Sequence, residues 1–379
     1  MLQRIFKHFI YRLKNAYYWL LFRLLCVFPI NNKKIVFIGG ERFDGGPKLI
    51  FSEMIKLENT EIDLVCALSS VGDDVQGARV IKSKGIRFVY ELMTSKVWIS
   101  DSRQQAYFRK RKKQYYIMTW HGAAPLKYIE KDAEDTLPKG YIKCAKNDSK
   151  NADLIVAESE FNYRIIKNSF WYDGEILKEE FINKNLHEDS RSKVREFFNI
   201  SQDYKIILYV PTFRKDYSTK CYDIEYERML DLLDNHFNRK HLFIVRLHEN
   251  IASKSGFIVY NEHILNGTYY DSIDELILAS DYIISDYSSC LFDGYKAYKK
   301  VFIYASDYVE YKAQDRGMYF DLSELPSPFA GNTDELISNI VLYDEEKYKL
   351  LEKELNDEIG YYGGDAAKTI ATRILVSVV

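Results

Sequence analysis

Five residues suited to phosphate and proton chemistry stand just after, or a few residues beyond, short apolar runs of this chain. They are His121, Arg214, His248, Ser288 and Ser289. The runs before them are rich in β-branched and aromatic residues, which is typical of buried strands. Imidazole exchanges a proton near neutral pH, and guanidinium and hydroxyl groups bind phosphate oxygens. The pattern therefore predicts a site for a phosphorylated ligand at strand ends.

The segment Asp281–Lys300 shows this arrangement most compactly. It predicts a strand at Tyr282–Ser285, a turn, a helix at Cys290–Lys300 and a further strand at Lys300–Tyr304. The turn would place hydroxyls and free backbone N–H groups at a helix N-terminus, where the helix dipole favours phosphate. Asp and Ser are also ordinary N-cap residues, so the turn alone leaves both interpretations open.

Strands and helices alternate along most of the chain, which predicts α/β architecture with parallel, doubly wound sheets. A glycine-containing loop at 39–46 precedes a helix but lacks the GxGxxG order of a dinucleotide site. In the first half we expect strands at 33–39, 62–67, 86–90 and 97–100, and helices near 48–57, 74–84 and 91–96. We expect an N-terminal segment at 1–32 and two α/β domains, at 33–190 and at 191–379.

Length and composition fit a two-domain protein with a packed core. The chain has 379 residues, of which 47% are hydrophobic and 28% charged. A net charge of −2 gives no overall attraction to nucleic acid. The five cysteines lack metal-binding spacing, so we predict reduced thiols and no protein-held metal.

Residues 1–28 predict a basic amphipathic helix. Leu13, Leu20 and other apolar residues recur at helical spacing, and Trp19 adds an aromatic side chain. Arg4 and Arg12 lie on another face. The apolar part is too short to span a bilayer, so one interpretation is a helix lying in the membrane surface. The alternative is a helix whose apolar face packs on the protein itself.

A run of five basic residues offers a second possible membrane contact. It comprises Arg109, Lys110, Arg111, Lys112 and Lys113. Such a run is either a solvated loop or a contact for anionic lipid headgroups or a polyanionic acceptor. Together with the basic N-terminal segment, it favours contact with an anionic surface.

Five clusters in order across residues 33–340 resemble the CDP-glycerol glycerophosphotransferase family of teichoic-acid and capsule synthesis. They are Thr119–Gly122 with Pro125 and Lys127; Tyr209–Arg214; Arg246–His248; Ser285–Ser289; and Tyr304, Asp307, Tyr311, Arg316, Gly317, Tyr319 and Asp321. The resemblance implies a GT-B-like fold, with two Rossmann-like domains facing across a cleft. It implies that the domain at 33–190 is the acceptor-side domain and that the domain at 191–379 binds the donor. It also implies a peripheral location on the cytoplasmic face of the membrane.

The implied reaction is attack by a hydroxyl of a lipid-linked glycan or polyol-phosphate polymer on the β-phosphorus of CDP-glycerol, releasing CMP. The resemblance implies His121 and His248 as the catalytic pair, with Gly122 and Lys127 on the acceptor side. The resemblance, together with positions at strand ends, predicts these donor-binding residues: Thr212, Arg214, Arg246, Ser285, Asp286, Ser288, Ser289, Asp307 and Arg316. No tightly bound cofactor is expected, although Mg²⁺ could accompany the donor diphosphate.

Other functions compete with this one. A ribitol-phosphate transferase would use CDP-ribitol, and a glycosyltransferase of the same architecture would use a nucleotide sugar. A non-catalytic binding protein would need the phosphate-binding residues but not His121.

Overall fold

The computed structural model describes residues 2–40, 43–57, 61–69, 75–181, 186–214, 218–248, 251, 255–314 and 317–378. The described chain forms two compact units. Unit 1 contains residues of Met1–Ala123, Ile129–Ile182 and Tyr361–Val379, and unit 2 contains residues of Ala124–Tyr128 and Asn183–Gly360.

Unit 1 is built on a parallel sheet of seven described strands in the order β3-β2-β1-β4-β5-β6-β7. The strands are β1 Asn31–Ile38, β2 Asp63–Leu68, β3 Arg79–Lys82, β4 Ser95–Ser100, β5 Tyr115–Met118, β6 Leu154–Ala157 and β7 Glu175–Lys178. The described α-helices in the first two segments of this unit are α1 Leu2–Leu25, α2 Gly45–Lys56, α3 Gly85–Thr94, α4 Lys139–Asn151 and α5 Glu160–Ser169. The strand order reverses beside β1, which is the switch point where such sheets bind ligands.

Unit 2 has a parallel sheet of six described strands in the order β10-β9-β8-β11-β12-β13. These are β8 Lys205–Val210, β9 His241–Val245, β10 Ile264–Asn266, β11 Tyr282–Ser285, β12 Lys300–Tyr304 and β13 Phe329–Ala330. Its described helices are α6 Leu186–Phe198, α7 Tyr226–Phe237, α8 Ile273–Ala279, α9 Cys290–Lys296, α10 Tyr308–Gln314, α11 Thr333–Val341 and α12 Glu345–Ile359. The predicted strands at β11 and β12 have the same bounds in the structure.

The C-terminal helix α13, Ala366–Val378, belongs to unit 1 and not to the second domain, where the sequence placed it. Its apolar residues Ala367, Ile370 and Ile374 join the core that contains Phe51 and Met54 of α2. Helical spacing showed that α13 has an apolar face. It did not show which sheet that face covers.

The sequence-based assignment between residues 75 and 96 is wrong. We expected a helix near 74–84, a strand at 86–90 and a helix at 91–96, but the described chain forms β3 and then α3. Residue 74 lies outside the described part. Phe88, Val89, Leu92 and Met93 are all buried, at a spacing that forms one face of a helix. The short run Ile86–Tyr90 contains β-branched and aromatic residues, which are also typical of a strand, so the helix was not predicted.

Helix α1 combines features of both interpretations of the N-terminus. Tyr18 and Phe22 are buried, and Tyr18 stacks on Tyr107 with ring centroids 4.6 Å apart. The Tyr18 hydroxyl also accepts a hydrogen bond from the Gly85 backbone N–H. A different face stays exposed, and we call it the apolar stripe: Phe6, Phe9, Ile10, Leu13, Tyr17, Leu20 and Leu24. In the described chain no helix has the length and apolarity needed to cross a bilayer.

Glu352 on α12 is a buried carboxyl, only 2% exposed, and burial raises its pKa to about 7. A carboxyl whose pKa is higher in the folded than in the unfolded state destabilises the fold as pH rises through the folded value. We therefore predict that Glu352→Gln raises Tm at pH 8 by several degrees and has little effect at pH 5. Thermal denaturation at both pH values checks this, with exposed Glu346→Gln as control. Equal effects of Glu352→Gln at the two pH values would contradict the prediction.

Candidate active site

His121 lies in the loop that follows β5 and is exposed to solvent. Its Nδ1 is 3.0 Å from the backbone carbonyl oxygen of Asp101, which follows β4. Because a carbonyl oxygen only accepts hydrogen bonds, the neutral ring carries its proton on Nδ1. Nε2 then has a lone pair, so His121 is oriented to accept a proton from a ligand.

The backbone around His121 allows a close approach. Gly122 has φ +86°, and a Cβ there would meet no atom of the described residues within 4 Å apart from its two chain neighbours. The first turn of α2 is adjacent, because a Cβ on Gly46 would lie 2.7 Å from Cβ of Thr119. Gly46 therefore lets the first turn of α2 pack against the end of β5. This close packing explains why residue 46 is a glycine, without any need for a bound dinucleotide.

Arg214 does not have the position that the sequence led us to expect. Its side chain is 6% exposed, and all three of its nitrogens contact protein oxygens. Nε is 2.6 Å from Asp307 Oδ2, Nη2 is 2.8 Å from Asp286 Oδ2, and Nη1 donates to the Thr212 carbonyl. Burial lowers the pKa of Arg214, but the two carboxylates outweigh it and raise the pKa. The described contacts place Arg214, predicted as a donor-binding residue, in an internal ion cluster, and its direct contact with a donor stays a prediction.

Three more predicted donor-binding residues have internal contacts that tie strand ends together. The Ser285 hydroxyl is buried and donates to the Val210 carbonyl at 2.6 Å. Asp286 Oδ1 accepts from the backbone N–H groups of Thr212 at 2.7 Å and of Tyr287 at 2.6 Å. These contacts join the end of β11 to the end of β8. In the described structure, these polar groups hydrogen-bond to other parts of unit 2 and so fix the positions of the two strand ends.

Other predicted residues of unit 2 are more accessible. Ser288 is half-buried and its Oγ accepts from the Cys290 backbone N–H, while Ser289 is exposed. Arg246 is half-buried and donates to the Tyr270 carbonyl at 2.7 Å. His248 is exposed, with its ring centroid 5.7 Å from that of Phe213. These residues follow β9 and β11, so unit 2 brings them to the same edge of its sheet.

Lys127 was expected on the acceptor side, but the structure places it in unit 2. Lys127 pairs with Met318 in an antiparallel bridge, and its Nζ donates to the Tyr311 hydroxyl at 3.0 Å. Tyr311 stacks on Tyr287 with ring centroids 3.6 Å apart. The Tyr287 hydroxyl in turn donates to Asp307. Lys127 is therefore joined to the ion cluster of unit 2 through two tyrosines. Arg316 lies outside the described residues.

The basic run divides into two groups. Lys110 pairs with Asp153 at 2.7 Å, and Arg111 donates to the carbonyls of Phe28 and Met93. These two residues are tied into the fold of unit 1. The exposed members are Arg109, Lys112 and Lys113.

The N-terminal helix contributes further basic and aromatic groups. Arg12 is exposed, and the Arg23 guanidinium lies 4.0 Å from the centroid of the Trp19 ring. The side chain of Arg4 lies outside the described part. Within that part, no group of three or more His, Cys, Asp or Glu residues is placed to hold a metal ion.

Sequence reasoning missed the aromatic and ionic residues behind these sites. Tyr287 belonged to a quoted motif, but its contact with Asp307 was not foreseen. Behind His121, Trp120 contacts Phe170, and the buried Arg103 pairs with Glu130 at 2.8 Å. The sequence carries no local signal that Arg103 is buried, and its partner Glu130 lies 27 residues away, so this pairing could not be predicted.

Comparison with known proteins gives a consistent family. A sequence model described as CDP-Glycerol:Poly(glycerophosphate) glycerophosphotransferase matches residues 20–376. A teichoic acid poly(glycerol phosphate) polymerase of Bacillus spizizenii is 24% identical over 94% of this chain and 96% of its own. A teichoic acid poly(ribitol-phosphate) polymerase of the same species is 23% identical over 98% of this chain and 60% of its own.

Solved structures support the fold. The wall teichoic acid polymerase TagF superposes with a TM-score of 0.81 at 24% identity, covering 99% of this chain and 96% of that one. The UDP complex of Staphylococcus aureus MnaA superposes with a TM-score of 0.51 at 12% identity, over 92% of this chain and 98% of that one. The expected GT-B-like fold, with two Rossmann-like parallel sheets, is confirmed.

We predict that Arg214→Ala acts chiefly on stability. Removing one partner of a buried ion pair leaves carboxylates uncompensated and costs about 3–5 kcal/mol. Urea denaturation should show this loss, and adding Asp307→Asn should recover part of it. Arg228→Ala, which removes an exposed ion pair with Asp334, should change little. Wild-type stability with weakened CDP-glycerol binding would instead restore Arg214 as a direct ligand.

Proposed function

Since the chain belongs to the CDP-glycerol:poly(glycerophosphate) glycerophosphotransferase family, we propose that it transfers glycerol phosphate from CDP-glycerol to a hydroxyl of a lipid-linked glycan or poly(polyol phosphate) acceptor. The acceptor oxygen forms a bond to the β-phosphorus. The bond from that phosphorus to the oxygen bridging the two phosphates breaks, and CMP leaves. The product is a phosphodiester in teichoic-acid or capsule synthesis.

The observation that carries this proposal is the orientation of His121. Its Nδ1 contact with the Asp101 carbonyl leaves Nε2 as the basic nitrogen on an exposed ring. An acceptor hydroxyl must lose a proton as it attacks phosphorus, and a positioned imidazole is suited to take it. A protein that only bound a nucleotide would not require this group.

We assign donor binding to residues of unit 2. Ser288 and Ser289 offer hydroxyls at the start of α9, while Arg246, Lys127 and His248 offer cationic or proton-donating groups. His248, when protonated, would offset charge on the leaving CMP. Arg214 acts indirectly, because its charge is shared with Asp286 and Asp307. Positive groups and hydrogen-bond donors supply most of the catalysis of phosphoryl transfer. Any Mg²⁺ would enter with the diphosphate of the donor.

Ribitol phosphate is the second candidate group. One relative is named a poly(ribitol-phosphate) polymerase, and its identity of 23% is close to the 24% of the glycerol-phosphate polymerase. A nucleotide-sugar donor is the more distant alternative, since it would release a nucleoside diphosphate instead of CMP. Incubation with CDP-glycerol, CDP-ribitol and a lipid-linked acceptor, followed by mass spectrometry, separates these cases.

We further propose that the enzyme works as a peripheral protein at the cytoplasmic face of the membrane. The apolar stripe of α1 supports this, because Tyr18 and Phe22 hold the helix on unit 1 while the stripe stays exposed. Exposed contiguous apolar surface beside basic residues is the pattern of an interfacial helix. Arg109, Lys112 and Lys113 add three exposed cations on the same unit. The lipid-linked acceptor would be met at that surface.

We predict that His121→Ala lowers turnover by about two to four orders of magnitude while CDP-glycerol still binds. Acceptor-dependent CMP release measures turnover, and titration calorimetry measures donor affinity. Exposed His236→Ala on α7 is the matched control and should retain activity. Near wild-type turnover of the His121 variant at neutral pH would overturn its assignment as general base.

We also predict that Leu13→Glu with Leu20→Glu abolishes flotation with anionic liposomes without unfolding the protein, because both leucines are exposed. Arg109→Gln, Lys112→Gln and Lys113→Gln together should weaken flotation and its salt sensitivity. Each cation near an anionic surface contributes about 1 kcal/mol. The control is Leu232→Glu with Leu350→Glu, two exposed leucines of unit 2. Unchanged flotation of the α1 variant would rule out this attachment.

A further inference from the structure

The ring of His121 lies against the ring of its sequence neighbour, Trp120. The centroids are 4.4 Å apart and the planes are inclined by 22°. In an extended chain, successive side chains point to opposite sides, so neighbours do not stack. Trp120 has φ +58°, in the left-handed region that bulky residues rarely adopt. This backbone conformation accompanies the contact between the two rings.

Trp120 is itself held from behind. It is 8% exposed, and the edge of Phe170 meets it with centroids 4.6 Å apart. The Arg103 guanidinium lies 5.5 Å from the centroid of Trp120 and 4.7 Å from that of Phe170. The indole therefore cannot turn without moving packed neighbours.

Arg103 is fixed by buried polar groups. Glu130 accepts from Nη2 at 2.8 Å and from Nε at 3.4 Å, and the Ser149 hydroxyl accepts from Nη1 at 2.8 Å. The Tyr141 hydroxyl donates to the same Glu130 carboxylate. A series of defined contacts thus runs from the interior of unit 1 through Arg103 and Trp120 to the exposed imidazole.

Two physical effects follow for His121. The Asp101 carbonyl fixes one ring nitrogen, and the Trp120 face restricts the plane of the ring, so Nε2 has a defined direction. When the imidazole takes a proton it becomes a cation lying over an indole face. A cation in that position is stabilised by the π-electrons of the indole.

We propose that Trp120 is a positioning residue for the transfer reaction, fixing the plane of the His121 ring and stabilising the imidazolium that forms when His121 accepts the proton of the acceptor hydroxyl. The inference rests on the proposed role of His121 as general base. It assigns Arg103 and Phe170 the task of holding the indole.

The test compares Trp120→Leu and Trp120→Phe with Trp171→Leu, a half-buried tryptophan of unit 1 whose ring lies near Lys146. In Trp120→Leu we expect kcat to fall about tenfold to a hundredfold, with KM for CDP-glycerol unchanged. The acid limb of the pH–rate profile should move about half a pH unit to lower pH, because the imidazolium loses its aromatic partner. Trp120→Phe should recover most of both effects, and Trp171→Leu should show neither.

Side-chain NMR of the same proteins gives a readout that does not need activity. In Trp120→Leu the His121 ring should be half-protonated at a lower pH than in the wild-type protein. If Trp120→Leu fails to fold, Trp120→Met, which also removes the aromatic ring, is measured in the same two assays and should show the changes expected of Trp120→Leu. Folded variants with wild-type kcat, pH profile and His121 titration would overturn the proposal.

The result for His121→Ala separates a failure of the positioning role of Trp120 from a failure of the proposed function. An inactive His121→Ala beside unaffected Trp120 variants would refute only the positioning role. An active His121→Ala would refute the proposed function itself.

Discussion

The ion cluster of buried Arg214 and Asp286 with half-buried Asp307 is the constraint on which the edge of unit 2 that carries the candidate donor-binding residues depends. It links the segments after β8, β11 and β12, three strands that are neighbours in the sheet. A guanidinium taken out of water is tolerated only when carboxylates and carbonyls surround it, so these segments must keep their mutual positions. The accessible residues Ser288 and Ser289 follow Asp286 directly in the chain, so the ion cluster fixes the start of their segment.

The same principle operates around His121 in unit 1. A buried arginine, Arg103, is satisfied by carboxylates and a hydroxyl, and its outer face supports aromatic rings. The group proposed to do chemistry is exposed, while the charge behind it is buried and paired. Burial raises the pKa of Asp148 in this cluster to about 7, against the opposing effect of Arg103. In each unit, an ion cluster lies behind the more exposed residues to which we assign the chemistry.

Much of the fold was predictable because it depends on local periodicity. The buried strands β8, β11 and β12 are continuous apolar runs, and their ends placed the candidate residues at one sheet edge. Helix α3 was missed because Ile86–Tyr90 also suits a strand, and only burial of Phe88 and Leu92 on one face distinguishes the two. The packing of α13 on unit 1 could not be predicted, because helical periodicity shows that a helix has an apolar face but not which sheet that face covers.

The site was predictable in residue type but not in direction. The sequence predicted Arg214 beyond the end of β8 and Ser285 as the last residue of β11. Whether their side chains point to a ligand or to the interior depends on contacts made across long sequence distances. Asp307 lies 93 residues from Arg214, and this pairing has no local signal. Lys127 lies in unit 2 for a similar reason: its antiparallel bridge to Met318 joins residues that are far apart in the sequence.

The most direct test of the central claim is product analysis by mass spectrometry with purified protein, CDP-glycerol and a lipid-linked acceptor. The account predicts acceptor extended by glycerol phosphate and an equal amount of CMP, with neither product formed when the acceptor hydroxyl is blocked. Release of CDP, or of free glycerol phosphate without acceptor extension, would contradict transfer from the β-phosphorus to the acceptor.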